Sequence, residues 1–421
     1  MRADVQLSTK FVSTQNGHQV GMLVTLTGET PVRRAPINVA LVLDRSGSMD
    51  GEPIEAAKDA ARRFAGFLSP ADRLAVVTFD GDIDTIFGPA AAGDPAADAA
   101  IAAVQARGNT NLSGGWLKGM HHVKSGLVDG TNRVVLLTDG QANAGIVDPA
   151  ALVGMSTGAS SERVSTTCIG FGSEFNEDLL EPMARQGGGN YWYVEDQDQM
   201  GAIFQAEIDG LVALAAQNVE VEVSLSHPRV AGVSFLQSYN VRTTAGNTWH
   251  VSLGDLYATS PRPLGLVFHV DDVEQLGRVQ IGEVRIQADV VLEQGIEHRT
   301  IAMPVWANLD AADHIEPTVE QTLLRFEAAK AREAAISDAD RGDYDGAARG
   351  LRAVGLRLAP YSADEDVARE IADLNDQAAL LESRKYSAMD RKYHAAMAMG
   401  MREGKIGYVK SISRREKKDN K

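Results

Sequence analysis

The chain has 421 residues, which is more than one ordinary hydrophobic core accommodates, so two or three domains are expected. Its composition, 44% hydrophobic and 23% charged, is typical of a soluble globular protein, and no apolar stretch is long enough to span a membrane. The net charge of −16 argues against nucleic-acid binding by the body of the molecule, so neither a membrane nor a nucleic acid is an expected partner.

The cysteine content and the first residues bear on the cellular compartment. The single cysteine, Cys168, excludes an intramolecular disulfide, and its apolar surroundings favour a buried, inert thiol. Residues 1–11 are polar and lack the apolar region of a signal peptide. We therefore expect a cytoplasmic protein, and the Ala-, Arg- and Asp-rich, Lys-poor composition indicates a bacterium with a GC-rich genome.

Residues 1–36 have the pattern of β-strands. Val5–Phe11 and Gln19–Thr27 alternate polar and apolar residues, and Asn16-Gly17 between them is a tight-turn signal. The segment is too short to fold alone, so we expect it to pair with a later part of the chain.

Residues 37–216 alternate between strand and helix patterns, which predicts a doubly wound, mostly parallel, Rossmann-like sheet with helices on both faces. Predicted strands are Ile37–Leu43, Leu74–Phe79, Thr85–Phe87, Arg133–Thr138, Val164–Phe171 and Tyr191–Val194. Predicted helices are Ile54–Leu68, Ala96–Ala106, Ser113–Val128, Ala150–Gly158, Asn176–Gln186 and Gln197–Ala216.

Residues 217–310 return to strand patterns separated by Gly, Asp and Asn turns, which predicts an antiparallel β-sandwich. Predicted strands are Val219–Leu225, Thr248–Leu253, Leu264–His269, Gly282–Val291 and Thr300–Val305. The strands of residues 1–36 are expected to complete this sandwich, so the α/β domain would be inserted into a β domain.

Residues 311–402 are rich in Ala, Glu, Arg and Leu and predict an α-helical C-terminal region, a helical hairpin or bundle. Three amphipathic helices are expected, at Val319–Ile336, Tyr344–Leu358 and Asp364–Tyr386. Residues 403–421 are predicted to be a basic, disordered tail.

One loop of the α/β region is rich in oxygen-bearing side chains. The apolar run that begins at Val39 ends in Asp44-Arg-Ser46-Gly-Ser48, and a helix follows within a few residues. Parallel sheets carry their sites in loops at the carboxyl ends of the strands, where this loop lies. Carboxylate and hydroxyl oxygens are the donors that hard divalent cations prefer.

Two further loops are expected at the same edge of the sheet. Thr110 lies in a polar loop that leads into a helix, and Asp139 directly follows a predicted strand. The combined inventory is two carboxylates and three hydroxyls without imidazole or thiolate, which excludes a zinc-type site and favours Mg²⁺ or Mn²⁺. With so few carboxylates the ion stays electrophilic, and an open coordination position suits an acidic group of another protein.

These residues resemble the metal-ion-dependent adhesion site of von Willebrand factor type A domains and integrin I domains. The resemblance covers roughly Ile37–Ala216 and implies that Asp44, Ser46 and Ser48 bind the ion from the first loop. Thr110 and Asp139 match the remaining ligand positions of the family, directly or through water. A Glu or Asp of a partner protein would complete the shell, and the flanking regions resemble those of bacterial cytoplasmic members.

These residues and motifs are compatible with three functions. The first is a metal-dependent protein-interaction module without enzymatic activity, as a scaffold or regulatory subunit of a bacterial complex. The second is a Mg²⁺-dependent hydrolase or phosphoesterase, although catalytic motifs such as a phosphate-binding loop or a nucleophile elbow are absent from the sequence. The third is an accessory subunit whose helical region docks an AAA+ ATPase, a kinase or a phosphatase.

Other residues have simpler interpretations. The alternative to a working metal site is a degenerate site that no longer binds metal, in which Asp44 merely caps the following helix. Adjacent helical residues point about 100° apart, so His121 and His122 are expected to be surface residues. The acidic cluster of residues 80–84 predicts a solvated turn, and Trp192 predicts core packing.

Overall fold

The structure is a computed structural model that describes residues 1–9, 11–13, 18–29, 34–172, 175–195, 197–237, 239–244, 246–258, 260–270, 277–292, 295–310 and 315–404. The turn predicted at Asn16-Gly17 and the basic tail from Lys405 lie outside these residues. Among the helices described, none is both long and apolar enough to cross a membrane.

The N-terminal segment forms the strands β1 (Arg2–Leu7), β2 (Phe11–Ser13) and β3 (His18–Thr27). β1 pairs antiparallel with β3, and β3 pairs antiparallel with a strand at Arg262–Val270, more than 200 residues later in the chain. The segment therefore joins a later part of the chain, as the sequence predicted.

The α/β region follows with six strands and six helices in alternation. They are β4 (Ile37–Asp44), α1 (Glu52–Phe67), β5 (Arg73–Phe79), β6 (Ile83–Ala91), α2 (Pro95–Ala102), α3 (Leu112–Lys124), β7 (Thr131–Thr138), α4 (Pro149–Ser161), β8 (Ser165–Phe171), α5 (Glu177–Gln186), β9 (Gly188–Val194) and α6 (Gln197–Val212). The strand order of this central sheet is β6-β5-β4-β7-β8-β9, and β6 alone runs antiparallel. Every residue of β4 and β7 is buried, as expected for a sheet covered on both faces.

Three helices of this region each end four residues earlier than predicted, and one of them is α2, which ends at Ala102 rather than Ala106. The helix predicted at Ser113–Val128 ends at Lys124, because the Asn132 side chain exchanges two hydrogen bonds with the backbone of Val128 and holds the following loop open. The helix predicted at Gln197–Ala216 ends at Val212, because the backbone from Leu214 onward pairs with another strand. At residues 213–216 strand pairing with distant parts of the chain overrides a favourable helix propensity, whereas α3 ends just before Ser125-Gly126, where the helix propensity is low.

The β-sandwich consists of two antiparallel sheets. Its later strands are β10 (Leu214–Ser224), β11 (Val230–Phe235), β12 (Asn240–Thr244), β13 (Thr248–Tyr257), β14 (Arg262–Val270), β15 (Gly277–Leu292) and β16 (Gly295–Asp310). The four-stranded sheet has the order β1-β3-β14-β11 and the other sheet has the order β12-β13-β10-β15-β16-β2, in which β2 pairs parallel. Alternate residues such as Val24, Leu266 and Val221 meet in the core between them. The predicted fold class, an α/β domain inserted in a β-sandwich, is confirmed, whereas β2, β11 and β12 were not predicted.

Residues 315–404, the described part of the C-terminal region, contain four α-helices rather than the three predicted. They are α7 (Pro317–Asp340), α8 (Tyr344–Leu358), α9 (Glu365–Glu382) and α10 (Ala388–Arg402). α7 packs Leu323 and Phe326 against the outer face of the four-stranded sheet. The exact limits of the predicted segments, 1–36, 37–216, 217–310, 311–402 and 403–421, remain predictions.

The helix α10 attaches the helical region to the α/β domain. Its residues Tyr393, Met397 and Met399 belong to the same buried cluster as the α/β core. Lys392 Nζ donates to the carbonyl oxygen of Phe175 at 2.6 Å and pairs with Glu177 at the start of α5. The capping box at Ser387 that begins α10 is the sequence signal that could have revealed this helix.

Candidate metal centre

The strand β4 delivers Asp44 to the carboxyl edge of the central sheet. Asp44 is fully buried, its Oδ1 accepts the backbone N–H of Ser46 at 2.8 Å, and its Oδ2 accepts the hydroxyl of Thr138 at 2.5 Å. The N-cap of α1 is Gly51, so Asp44 does not cap that helix. The capping role that the sequence offered for Asp44 is therefore not formed at α1.

Ser46, Ser48 and Asp139 form a chain of oxygen atoms beside Asp44. The Ser46 and Ser48 hydroxyl oxygens are 3.2 Å apart, and the Ser48 hydroxyl donates to Asp139 Oδ1 at 2.8 Å. Asp139 directly follows β7, which pairs with β4 through Leu43 and Leu137. Strand register thus brings the first and third loops together, as the sequence predicted.

Thr110 is held between the other two loops by backbone contacts. Its N–H donates to the side-chain oxygen of Asn143 at 2.9 Å, and its carbonyl oxygen accepts the N–H groups of Asn143 and Ala144. Gly140 lies beside it, and a Cβ there would come within 3.3 Å of Thr110 Oγ1 and 3.8 Å of Asp44 Oδ2. A glycine at this position keeps the space between the three loops free.

The electrostatics of the site favour a cation. Burial, opposed by hydrogen bonds from Thr138 and Ser46, together with the charge of Asp139, raises the pKa of Asp44 to about 6. The neighbouring Arg45 does not supply a counter-charge to this carboxylate, because its guanidinium pairs with Asp80 and Asp84. A divalent ion would stabilise the ionised form that burial disfavours.

The donor set also fits a small divalent ion in its spacing. The oxygen ligands of an octahedral Mg²⁺ at about 2.1 Å lie about 3 Å from one another. The Ser46–Ser48 and Ser48–Asp139 oxygen separations of 3.2 and 2.8 Å match this spacing. All five predicted residues provide oxygen only, and within the described residues no cluster of three or more His, Cys, Asp or Glu side chains offers a different metal site.

A comparison of the sequence with protein-family models identifies the α/β region. Residues 38–206 match the model of the von Willebrand factor type A domain. The chain contains a von Willebrand factor type A domain. Domains of this family commonly mediate protein–protein interactions and often bind a divalent metal ion.

Relatives differ in how much of the chain they share. The protein sll0103 of Synechocystis is 28% identical over 84% of this chain and 87% of its own length. The Escherichia coli protein YfbK is 27% identical over 52% of this chain and 40% of its own length, and the human inter-alpha-trypsin inhibitor heavy chain H1 is 27% identical over 50% and 24%. The match to sll0103 therefore includes regions outside the type A domain.

Two solved structures share the fold across nearly the whole chain. A von Willebrand factor type A protein from Catenulispora acidiphila has a TM-score of 0.68 at 18% identity and covers 90% of this chain and 89% of its own. The ArnB paralog VWA2 from Sulfolobus acidocaldarius has a TM-score of 0.58 at 16% identity and covers 92% of this chain and 97% of its own. At these identities the likeness concerns the fold alone.

Several secondary predictions need correction. His122 is buried rather than on the surface, because its ring nitrogen bonds to the Thr85 hydroxyl at 2.8 Å from the inner face of α3. Asp80 is 3% exposed, so the acidic turn is not fully solvated. Trp192 and Cys168 are buried as predicted, and burial raises the pKa of the Cys168 thiol.

Sequence reasoning missed three residues that shape the site. Thr138 holds Asp44, Asn143 holds the Thr110 loop, and Gly140 leaves room between them. The signals were local: Thr138 is the last residue of a buried strand, and Gly140 directly follows a predicted ligand. Asn143 gave no signal of its own, since its role depends on a contact across 33 residues of sequence.

Proposed function

We propose that the type A domain binds Mg²⁺ or Mn²⁺ through Asp44, Ser46, Ser48, Thr110 and Asp139, and that a Glu or Asp of a partner protein completes the coordination shell. The observation that carries the proposal is the pairing of two buried acids, Asp44 and Asp139, within a set of hydroxyl oxygens at ligand-like spacing. When bound, the ion would supply an electrophilic position for the partner's carboxylate.

The residues of this chain would divide the work. Asp44 and Asp139 would supply negative charge, and the three hydroxyls would supply neutral oxygens that leave the ion attractive to another acid. Thr138 would keep Asp44 oriented through its hydrogen bond. Gly140 would keep the approach between the loops free of side-chain atoms.

We propose binding rather than catalysis, because the donor atoms at the site are carboxylate and hydroxyl oxygens of the kind that hold an ion. The protein would then act as a scaffold or regulatory subunit in the cytoplasm of a bacterium. The four-helix C-terminal region would offer a second surface, for a partner such as an ATPase, a kinase or a phosphatase.

The test is recovery of partners from a cell extract with the full chain as bait. Recovery should require Mg²⁺ or Mn²⁺, disappear with chelator, and disappear for Asp44→Ala while it persists for Asp50→Ala, an exposed acid in the same loop region. Equal recovery with ion and with chelator would contradict the proposal. Turnover of generic phosphoesters that is lost in Asp139→Ala would favour the hydrolase instead.

A further inference from the structure

Asp80 lies at the centre of a set of contacts that connects two of the loops at the metal centre. It follows β5 and is 3% exposed. Its Oδ2 accepts Arg107 Nε at 2.8 Å, and its Oδ1 accepts the backbone N–H of Asp82 at 2.8 Å and Arg45 Nη2 at 3.3 Å. Arg45 belongs to the first metal loop and Arg107 precedes the Thr110 loop, so one carboxylate contacts both.

Backbone hydrogen bonds also connect the same two loops to each other and to Asp80. The N–H of Arg107 donates to the carbonyl oxygen of Arg45 at 2.6 Å, and the N–H of Gly47 donates to Gly108 at 3.1 Å. The carbonyl oxygen of Asp80 accepts the N–H of Asn111 at 2.8 Å. Asp80 therefore meets the Thr110 loop at both its side chain and its backbone.

Gly108 fits closely against this carboxylate. Its φ is +72°, and a Cβ there would lie 3.1 Å from Asp80 Oδ2. A side chain at this position would be strained by its backbone and would crowd Asp80. The Thr110 loop is thus shaped to Asp80 as well as bonded to it.

Charge gives Asp80 a second effect. Arg45 is 8% exposed and lies between Asp44 and Ser46 in sequence, where an uncompensated positive charge would oppose a bound cation. The guanidinium is instead held by Asp80 and by Asp84, whose Oδ2 accepts Arg45 Nη2 at 2.5 Å. Burial would raise the pKa of Asp80, but the Asp82 N–H and the two arginines outweigh it and hold the pKa below its usual value.

We propose that Asp80 is a positioning residue for the metal centre: it holds Arg45 away from the ion and fixes the Thr110 loop relative to Asp44. The proposal rests on the metal site proposed above and extends it to a residue that would not touch the ion. Residues behind metal ligands commonly matter to affinity because they set ligand orientation and local charge.

The first test is a titration of the full chain with Mn²⁺, followed by electron paramagnetic resonance of the free ion. Asp80→Asn should weaken Mn²⁺ binding by about 10–100-fold, the usual effect of losing a group behind a metal ligand. Asp82→Asn is the matched control in the same turn, since its side chain is 81% exposed, and it should leave affinity within about threefold of the wild type.

The second variant separates charge from loss of structure. In Asp80→Asn combined with Arg45→Gln the guanidinium that keeps only Asp84 as its carboxylate partner is removed, so affinity should return to within about tenfold of the wild type. Should Asp80→Asn fail to fold, Asp84→Asn removes the other partner of Arg45 and should weaken binding in the same direction. Unchanged affinity in Asp80→Asn, or no recovery in the double variant, would overturn the proposal.

Hydrogen exchange distinguishes this inference from the proposed function. In Asp80→Asn the amides of Gly47 and Arg107 should exchange faster than in the wild type, with or without Mn²⁺, because their loops are no longer tied. Wild-type protein that binds no Mn²⁺ would end the proposed function, and faster exchange in the variant would still support the positioning role of Asp80. Unchanged exchange of both amides would contradict that role.

Discussion

Buried acids lie at both ends of strand β7, but only those near its start have a cationic side chain of the protein beside them. Near its start, the fully buried Arg133 binds Glu207 of α6 at 2.8 Å and Asp255 of β13 at 2.5 Å. At its other end, Thr138 and Asp139 lie beside Asp44, whose carboxylate accepts hydrogen bonds from Thr138 and Ser46 and, among the described residues, pairs with no cationic side chain.

The difference appears in the two best-buried acids. Burial would raise the pKa of Glu207, but the charge of Arg133 and hydrogen bonds from Asn190, Thr167 and Trp192 outweigh it, and the pKa is lowered. Burial raises the pKa of Asp44 to about 6 despite its hydrogen bonds. Glu207 is thus held in its ionised form by an internal cation, whereas Asp44, which has none beside it in the part of the chain that the structure describes, is suited to a cation from solution.

In the internal network Arg133 pairs with two acids, Glu207 and Asp255. The pKa of Asp255 is raised, because burial outweighs the charges of Arg133 and Arg262. Tyr257 shares the same arginine through its hydroxyl at 2.7 Å. Arg133 therefore connects the central sheet with the last helix of the type A domain and with the β-sandwich, and its removal would take the cationic partner from Glu207 of α6 and the bonded guanidinium from Asp255 of β13.

The largest effect is expected from Arg133→Met. Removing one partner of a buried ion network leaves uncompensated charge, so we expect a loss of about 3–5 kcal/mol in the free energy of unfolding. Urea denaturation followed by circular dichroism measures it. Arg62→Met, which breaks an exposed pair with Asp98, should leave the unfolding midpoint unchanged. A midpoint for Arg133→Met equal to that of Arg62→Met would remove the distinction between the two ends of β7.

Asp44→Asn should act in the opposite direction. The folded pKa of Asp44 lies above its unfolded value, so its ionisation costs stability progressively as pH rises from about 4 through 6. In metal-free protein at pH 7.5 the substitution should raise the free energy of unfolding by about 1–2 kcal/mol, and this gain should shrink toward pH 4.5.

The same variant sharpens the comparison when Mg²⁺ is added. The ion should raise the melting temperature of the wild type and not that of Asp44→Asn, because only a protein that binds the ion is stabilised by it. Asp50→Asn serves as the control and should follow the wild type in both conditions. If metal-free Asp44→Asn is less stable than the wild type at pH 7.5, contacts within the protein already stabilise the ionised Asp44 carboxylate, which would contradict this prediction.

A smaller effect is expected where α10 meets α5. The charges of Lys392 and Arg391 and the hydrogen bond from Lys392 outweigh burial and lower the pKa of Glu177. Its contribution is therefore complete above the unfolded value near 4.5 and is lost as pH falls through the lowered folded value. Glu177→Gln should cost about 1 kcal/mol at pH 7, and the difference from the wild type should fade toward pH 3.5.

Asp178→Asn is the matched variant for this contact. Asp178 bonds the same Arg391 but is 73% exposed, so its substitution should cost less than that of Glu177. Thermal unfolding at several pH values measures both. A difference between Glu177→Gln and the wild type that grows as pH falls would contradict the sign of this pKa shift.

Local sequence patterns predicted the structure correctly in the places where interactions between residues close in sequence determine it. The uniformly apolar β4, the helix that follows it and the polar residues after β7 predict a parallel sheet edge, and the loops then meet because parallel strands end together. The position of α10, the early end of α6 and the burial of His122 depend instead on contacts between distant segments. The contacts of Asp80 could not be predicted from local sequence either, since its partners Arg45 and Arg107 lie 35 and 27 residues away.

The most direct test of the account is a crystal of the full chain soaked with Mn²⁺ and measured at a wavelength where manganese scatters anomalously. We expect one anomalous peak, from a manganese ion at the carboxyl edge of the central sheet. The ion should be bonded to oxygens of Asp44, Ser46 and Ser48 and lie close to Thr110 and Asp139. Well-ordered loops in their described positions without a peak there would contradict it.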